Sequence, residues 1–154
     1  MAQLVREVSH DIKESANRSH SDISVSISDG VPGIAGERTQ LTQLLHNIIG
    51  NAVKYNREGR KVDIILSLDD THPDMVKLTV QDEGEGIANE HIPRLTERFY
   101  RVDSARSRAM GGTGLGLAIV KHIVERHRGR LAVDSVVGEG TRFSIWLPRV
   151  ENED

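Results

Sequence analysis

Apolar residues along this chain fall into two rhythms, and the changes between them mark the elements. Leu4, Val5, Val8 and Ile12 recur at helical spacing, which predicts a first amphipathic helix over Ala2–Asn17. Ile23, Val25 and Ile27 then alternate with serines, the mark of a short half-buried strand. Asp29-Gly30-Val31-Pro32-Gly33 is a loop by composition. The strongest helical pattern follows: Leu41, Leu44, Leu45, Ile48, Ile49, Ala52 and Val53 hold one face, and Asn56 and Gly59 stop it.

Beyond this helix the period drops to two. Val62, Ile64, Leu66 and Leu68 alternate, and so do Val76, Leu78 and Val80, with a turn around Asp69–Asp74. A short helical piece is expected near Glu90–Leu95, followed by a long polar, arginine-rich loop of the kind that is usually functional in a compact domain. A second strong helix runs from about Thr113 to His127, with Leu117, Val120, Ile123 and Val124 on one face. Leu131/Val133 and Phe143/Ile145/Leu147 complete the pattern as two strands joined through Val137-Gly138-Glu139-Gly140. Strands with one apolar face beside amphipathic helices imply an α/β fold, a two-layer sandwich.

Composition narrows the class. With 154 residues, 28% charged and 37% hydrophobic, the chain suits one globular domain, residues 1–150, with a polar tail at 151–154 expected to fray. The formal charge of −3 offers no basic footprint, which argues against nucleic acid as a partner. The sequence holds no cysteine, which excludes disulfides and fits a reducing, cytoplasmic setting. No apolar run approaches the roughly 20 residues needed to span a bilayer, so no direct membrane insertion is expected of this piece.

Three segments carry candidate chemistry. On the first strong helix, Asn47, Asn51, Lys54 and Tyr55 fall within roughly 100° of arc beside the apolar stripe. Asparagine is a poor helix-interior residue because its amide competes with the backbone. On this stripe alone, a polar site and a set of boundary residues are equally good explanations. In Asp82-Glu83-Gly84-Glu85-Gly86, Asp82 continues the phase of Val76, Leu78 and Val80 and so points toward the helices. A carboxylate there needs a donor, and the glycines let a flat ligand approach the backbone. Alone, the segment reads better as a simple Asp/Gly turn. Gly111-Gly112-Thr113-Gly114-Leu115-Gly116-Leu117 opens the last long helix, where free N–H groups and the helix dipole favour anions. It is neither a dinucleotide fingerprint nor a P-loop, because Leu117 stands where a third glycine would and no Gly-Lys-Ser/Thr follows.

Taken in order, these segments resemble a known family. Asn51 with Lys54-Tyr55, Asp82-x-Gly84-x-Gly86, Arg98-Phe99-Tyr100-Arg101 and Gly112-Thr113-Gly114-Leu115-Gly116-Leu117 are similar to the N, G1, F and G2 boxes of bacterial sensor histidine kinases. The similarity runs from about Leu4 to Pro148. It implies the Bergerat ATP-binding sandwich, a mixed, largely antiparallel sheet covered on one face by helices, and a role in two-component signalling with ATP and Mg²⁺. By this resemblance Asp82 accepts a hydrogen bond from the adenine amino group, helped through water by Thr141. Asn51 binds Mg²⁺ and Asn47 lines the same site, with Asn47 and Arg101 on the catalytic side. Lys54 meets a phosphate and Tyr55 packs near the nucleoside. Ile87 and Tyr100 join Gly84 and Gly86 around the nucleotide. Gly112, Thr113, Gly114, Leu115, Gly116 and Leu117 wrap the triphosphate, and Arg101 steadies the γ-phosphate. Residues between Arg101 and Gly111 form a lid suited to a disorder-to-order switch.

The partners implied are a separate dimerisation domain carrying the acceptor histidine and, through it, a response regulator. Both that domain and a sensor or transmembrane region are expected to lie outside this piece, which is then a monomer cut from a membrane-anchored kinase. Thr96 departs from the apolar residue that many relatives carry ahead of Glu-Arg-Phe, which weakens lid anchoring. Leu95–Asp103 also resembles PhoR-type kinases of alphaproteobacteria. Ser9-His10-Asp11-Ile12-Lys13 imitates a phosphoacceptor box, but Glu14-Ser15-Ala16-Asn17 follows in place of a proline. No second long helix fits before the one that carries Asn51 either, so His10 is expected to be an exposed residue of the first helix. The other six histidines show no metal-ligand spacing with supporting carboxylates.

Three other functions share the fold. ATPases such as gyrase B, Hsp90 and MutL carry a glutamate four residues before the Mg²⁺-binding asparagine, and here that position is Asn47. A non-catalytic interaction module would have lost boxes that this chain keeps. A serine kinase of the anti-sigma type fits the PhoR-like segment less well.

Overall fold

The computed structural model describes residues 1–15, 22–34, 36–57, 59–95 and 116–149. Its elements are α1 (Ala2–Ser15), β1 (Asp22–Ile27), α2 (Arg38–Tyr55), β2 (Lys61–Leu68), β3 (Met75–Gln81), a 3₁₀ turn at Ile92–Arg94, α3 (Gly116–Arg126), β4 (Arg130–Val136) and β5 (Gly140–Pro148). The strands form a five-stranded sheet in the order β1-β2-β3-β5-β4. β1 runs parallel to β2, and the remaining neighbours are antiparallel. The sheet is therefore mixed and largely antiparallel. The parallel pair follows from its connection: α2 carries the chain back to the same edge, which a tight turn cannot do.

Period-two patterning produces rows of side chains across the sheet. Val25, Ile64, Val80, Phe143 and Val133 are register partners in turn, as are Ile27, Leu66, Leu78, Ile145 and Leu131. The central residues of these rows are buried, and α1, α2 and α3 pack onto that face. α2 touches both other helices and the sheet, and its Leu44, Leu45, Ile48 and Ile49 are each 0% exposed. Burying apolar side chains this completely is worth about 1.5–3 kcal/mol each, so α2 is the centre of the core.

Several boundaries differ from the expected ones. α1 is helical to Ser15, and Ala16 and Asn17 lie outside the described residues. The helical piece near Glu90–Leu95 is one 3₁₀ turn, since Pro93 removes an N–H and the segment gives the core only Leu95. α3 is described from Gly116 and ends at Arg126, with His127 already in a turn and Arg128 at φ 57°. The expected strand around Leu131/Val133 extends over Arg130–Val136. His10 is exposed on α1.

Candidate functional site

The apolar rows change character at one end of the inner face. Two residues beyond Val80 the same phase brings Asp82, two before Phe143 it brings Thr141, and two beyond Val133 it brings Ser135. Ser135 and Thr141 are register partners on β4 and β5, and the Asp82 N–H donates to the Thr141 carbonyl at 2.9 Å. Three polar side chains therefore continue a stack that is otherwise Val, Phe and Ile.

Asp82 is 6% exposed. Its Oδ1 accepts the Gly84 N–H at 2.9 Å and the Thr141 N–H at 3.2 Å. Burial pushes the carboxyl above the usual carboxylate range, against the opposing pull of the Gly84 and Thr141 N–H groups. Both bonds fall on one oxygen, so Oδ2 has no hydrogen-bond partner among the described residues. A buried carboxylate with one oxygen satisfied and one available is poised to accept a ligand N–H.

The loop after Asp82 is held tightly. A Cβ on Gly84 would stand 2.5 Å from the Tyr55 carbonyl oxygen, so glycine lets the loop press against the end of α2. Gly86 sits at φ 78°, where a Cβ would also strike the Val136 carbonyl at 2.3 Å. The Ile87 N–H donates to Ser135 Oγ at 2.7 Å, and Ser135 Oγ lies 2.9 Å from both Thr141 Oγ1 and the Gly140 carbonyl.

The C-terminal end of α2 abuts this loop at Tyr55, and its polar edge runs back from there. Asn47, Asn51, Lys54 and Tyr55 are all half-buried. The Asn47 Nδ2 is buried and has no hydrogen-bond partner among the described residues, an open donor beside the core. Lys54 Nζ lies 5.7 Å from the centroid of the Tyr55 ring. Among the described residues no group of three His, Asp or Glu side chains is arranged to hold a metal ion. The donors on offer are asparagine amides, which suit a hard cation that brings its remaining oxygen ligands with a polyphosphate.

Of the residues singled out in the sequence, Asp82, Gly84, Gly86, Ile87 and Thr141 share one loop-and-strand cluster against the end of α2. Gly116 opens α3 with open space where a Cβ would stand. Leu117 is half-buried and packs on the core cluster. Thr96, Tyr100, Arg101, Gly112, Thr113, Gly114 and Leu115, with the lid segment between Arg101 and Gly111, lie outside the described residues. Sequence patterning missed Asn56, Arg57 and Ser135, whose side chains bind the loop through its backbone.

Known proteins share this sequence pattern and fold. The family model for histidine kinase-, DNA gyrase B- and HSP90-like ATPases matches residues 36–151. The chain is 44% identical over 145 residues to the sensor histidine kinase RppB of Synechocystis, covering 94% of this chain and 31% of that protein. It is 45% identical over 130 residues to the phosphate regulon sensor protein PhoR of Pseudomonas aeruginosa, covering 84% of this chain and 28% of that one. The chain thus spans less than a third of the length of these curated relatives. Among solved structures, a mycobacterial sensor histidine kinase, MprB, superposes with a TM-score of 0.83 at 32% identity, over 97% of this chain and 95% of that one. Full-length ShkA in complex with AMPPNP also superposes with a TM-score of 0.83, at 29% identity over 98% of this chain and 30% of that one.

Proposed function

From the premise that the chain belongs to the histidine kinase-, DNA gyrase B- and HSP90-like ATPase family, as an ATP-binding catalytic domain of the sensor histidine kinase kind, we propose how its residues divide the work. It holds Mg-ATP between the polar edge of α2 and the Asp82 loop, and presents the γ-phosphoryl group to a histidine on a separate dimerisation domain. The observation that carries this assignment is Asp82: a buried carboxylate with one oxygen committed to the Gly84 and Thr141 amides and the other open.

Asp82 takes the adenine amino group, and Thr141, fixed by Ser135, flanks it. The loop at Gly84, Gly86 and Ile87 offers backbone to the flat face of the base. Asn51 is the metal ligand and Asn47 lines the same site, while Lys54 meets a phosphate beside Tyr55. When bound, Mg²⁺ neutralises phosphate charge. Gly116, at the start of α3, contributes to the phosphate side through the helix N-terminus. Tyr100, Arg101 and the Gly112–Leu115 segment complete the assignment by sequence. Phosphoryl transfer depends on positioning and charge neutralisation more than on acid–base groups, so this inventory suffices once an acceptor histidine is supplied.

Residues 1–150 act as one ATP-binding unit, monomeric in isolation. The whole protein is a membrane-anchored sensor kinase whose catalytic part works in the cytoplasm and whose signal passes to a response regulator. No helix among the described residues is long and apolar enough to cross a membrane. Incubating the chain with ATP and a separately supplied dimerisation domain tests the assignment: acid-labile phosphohistidine is expected on that domain. Its absence, with both partners folded and nucleotide bound, would reject kinase function.

Autonomous ATP hydrolysis is the competing activity. It needs a general base for water, and Asn47 stands one helical turn before Asn51 where a carboxylate would be required. Appreciable steady-state hydrolysis by the chain alone, abolished by Asn47→Ala, would favour that activity instead.

A further inference from the structure

Helix α2 ends at Tyr55, and the next two residues reach back across the Asp82 loop. Asn56 is 4% exposed, accepts the Glu83 N–H at 2.9 Å, and donates through Nδ2 to the Arg60 carbonyl at 3.1 Å. Arg57 goes further. Its Nη2 donates to the Gly84 carbonyl at 2.9 Å and also to the Gly138 carbonyl in the β4–β5 turn. That turn is joined to the same loop by the Gly138 N–H, which donates to the Glu85 carbonyl at 2.7 Å.

Both polar groups of Gly84 are thereby committed. Its N–H holds Asp82 Oδ1 at 2.9 Å, its carbonyl is held by Arg57, and its Cα rests against the Tyr55 carbonyl. Rotation of either peptide flanking Gly84 would break one of these contacts. Asp82 then has a fixed bonded oxygen and a fixed open one. The guanidinium is an expensive way to achieve this, because the Arg57 Nε is buried without a hydrogen-bond partner among the described residues. An orphaned buried N–H costs free energy, so packing stability alone does not account for arginine here.

We propose that Arg57 is a positioning residue for nucleobase selection: by clamping Gly84 and Gly138 it orients the open oxygen of Asp82 toward the exocyclic amino group of the base. The proposal rests on the nucleotide assignment above. It predicts a defect in discrimination between bases, beyond any general loss of affinity.

The experiment uses calorimetric titration of the full chain with ADP and with purine riboside 5′-diphosphate, which lacks the 6-amino group. The wild-type chain is expected to prefer ADP by roughly ten- to hundredfold, the value of one charge-assisted hydrogen bond. In Arg57→Met the preference should fall to about threefold or less, mainly through weaker ADP binding. Arg57→Lys, whose ammonium can donate to both carbonyls, should recover most of it. If Arg57→Met does not fold, Arg57→Gln is held to the same ratio. A variant that keeps the wild-type preference, including one that loses affinity for both ligands in parallel, overturns the proposal and leaves Arg57 a structural residue. A wild-type chain that binds both ligands equally would instead reject Asp82 as the base contact, a failure visible before any variant is made.

Discussion

Glu37 and His127 meet across the N-terminus of α2 and the C-terminus of α3. The Glu37 N–H donates to His127 Nε2 at 3.2 Å, and the opposite ring nitrogen, Nδ1, lies 2.8 Å from the Ile123 carbonyl. With Nε2 accepting, the ring proton sits on Nδ1 and is donated to that carbonyl. α2 and α3 are thus latched through one imidazole. The Glu37 carboxylate also caps α2 by accepting the N–H groups of Thr39 at 3.1 Å and Gln40 at 2.8 Å.

This cap makes stability pH-dependent in a defined direction. The backbone bonds from Gln40 and then Thr39 hold the Glu37 carboxyl below its ordinary value of 4.5. A depressed carboxyl contributes stability that is present above 4.5 and lost as pH falls through its lowered value. Glu37→Gln should therefore melt below wild type at pH about 7, and the gap should close under acid. Thermal melts across that range check it; a gap that persists unchanged at low pH would mean the charge is not what matters.

Asp82 has the opposite sign. Its carboxyl is raised above 3.8, so its ionised form costs the ligand-free fold stability as pH rises through the raised value. Asp82→Asn, which keeps an oxygen for the Gly84 and Thr141 amides, should stabilise the ligand-free protein at neutral pH. The same change should weaken ADP binding by roughly ten- to hundredfold. Paired melting and calorimetry test both halves, and an unchanged dissociation constant would show the base is held elsewhere.

Asn51→Ala separates metal from base. Affinity for Mg-ATP should fall more than affinity for ATP measured with a chelator present. Equal losses would remove Asn51 from the metal site.

Ile48→Ala tests the core under the site. The side chain is 0% exposed on the central helix, and removing it should cost about 2–5 kcal/mol in denaturant unfolding. A loss below about 1 kcal/mol would mean that α2 repacks around the change.

Gly84→Ala tests the close approach of the loop to α2. The added methyl would meet the Tyr55 carbonyl at 2.5 Å, so the loop or the helix end must shift and nucleotide affinity should drop with it. Wild-type affinity and melting temperature together would show that the contact is not tight.

Much of this was legible in the sequence for a physical reason. Alternation reports which face a residue takes, so Val80 sufficed to aim Asp82 at the helices, and the stripe from Leu41 to Val53 fixed the face of α2. Alternation does not report strand direction, which is why the parallel pairing of β1 with β2 had to come from the structure. Residues whose partners are backbone groups also leave no pattern. Arg57 binds carbonyls 27 and 81 positions away, and Ser135 accepts an amide 48 positions away. Neither partner is a residue type that spacing could reveal. Only the Asp82-x-Gly84-x-Gly86 resemblance located the loop that they serve.

The strand order carries a consequence for how the protein is made. β5 lies between β3 and β4, although it is synthesised after both. Asp82 therefore waits on a growing chain with its Thr141 amide still missing, and no shorter nascent piece can complete the hydrogen bonds around its carboxylate. Under the proposed assignment, nucleotide binding becomes competent only when translation has passed Pro148 and β5 has slotted into the middle of the sheet. A stalled-chain series released at successive lengths should acquire ADP binding in one step at that point, with no graded rise before it.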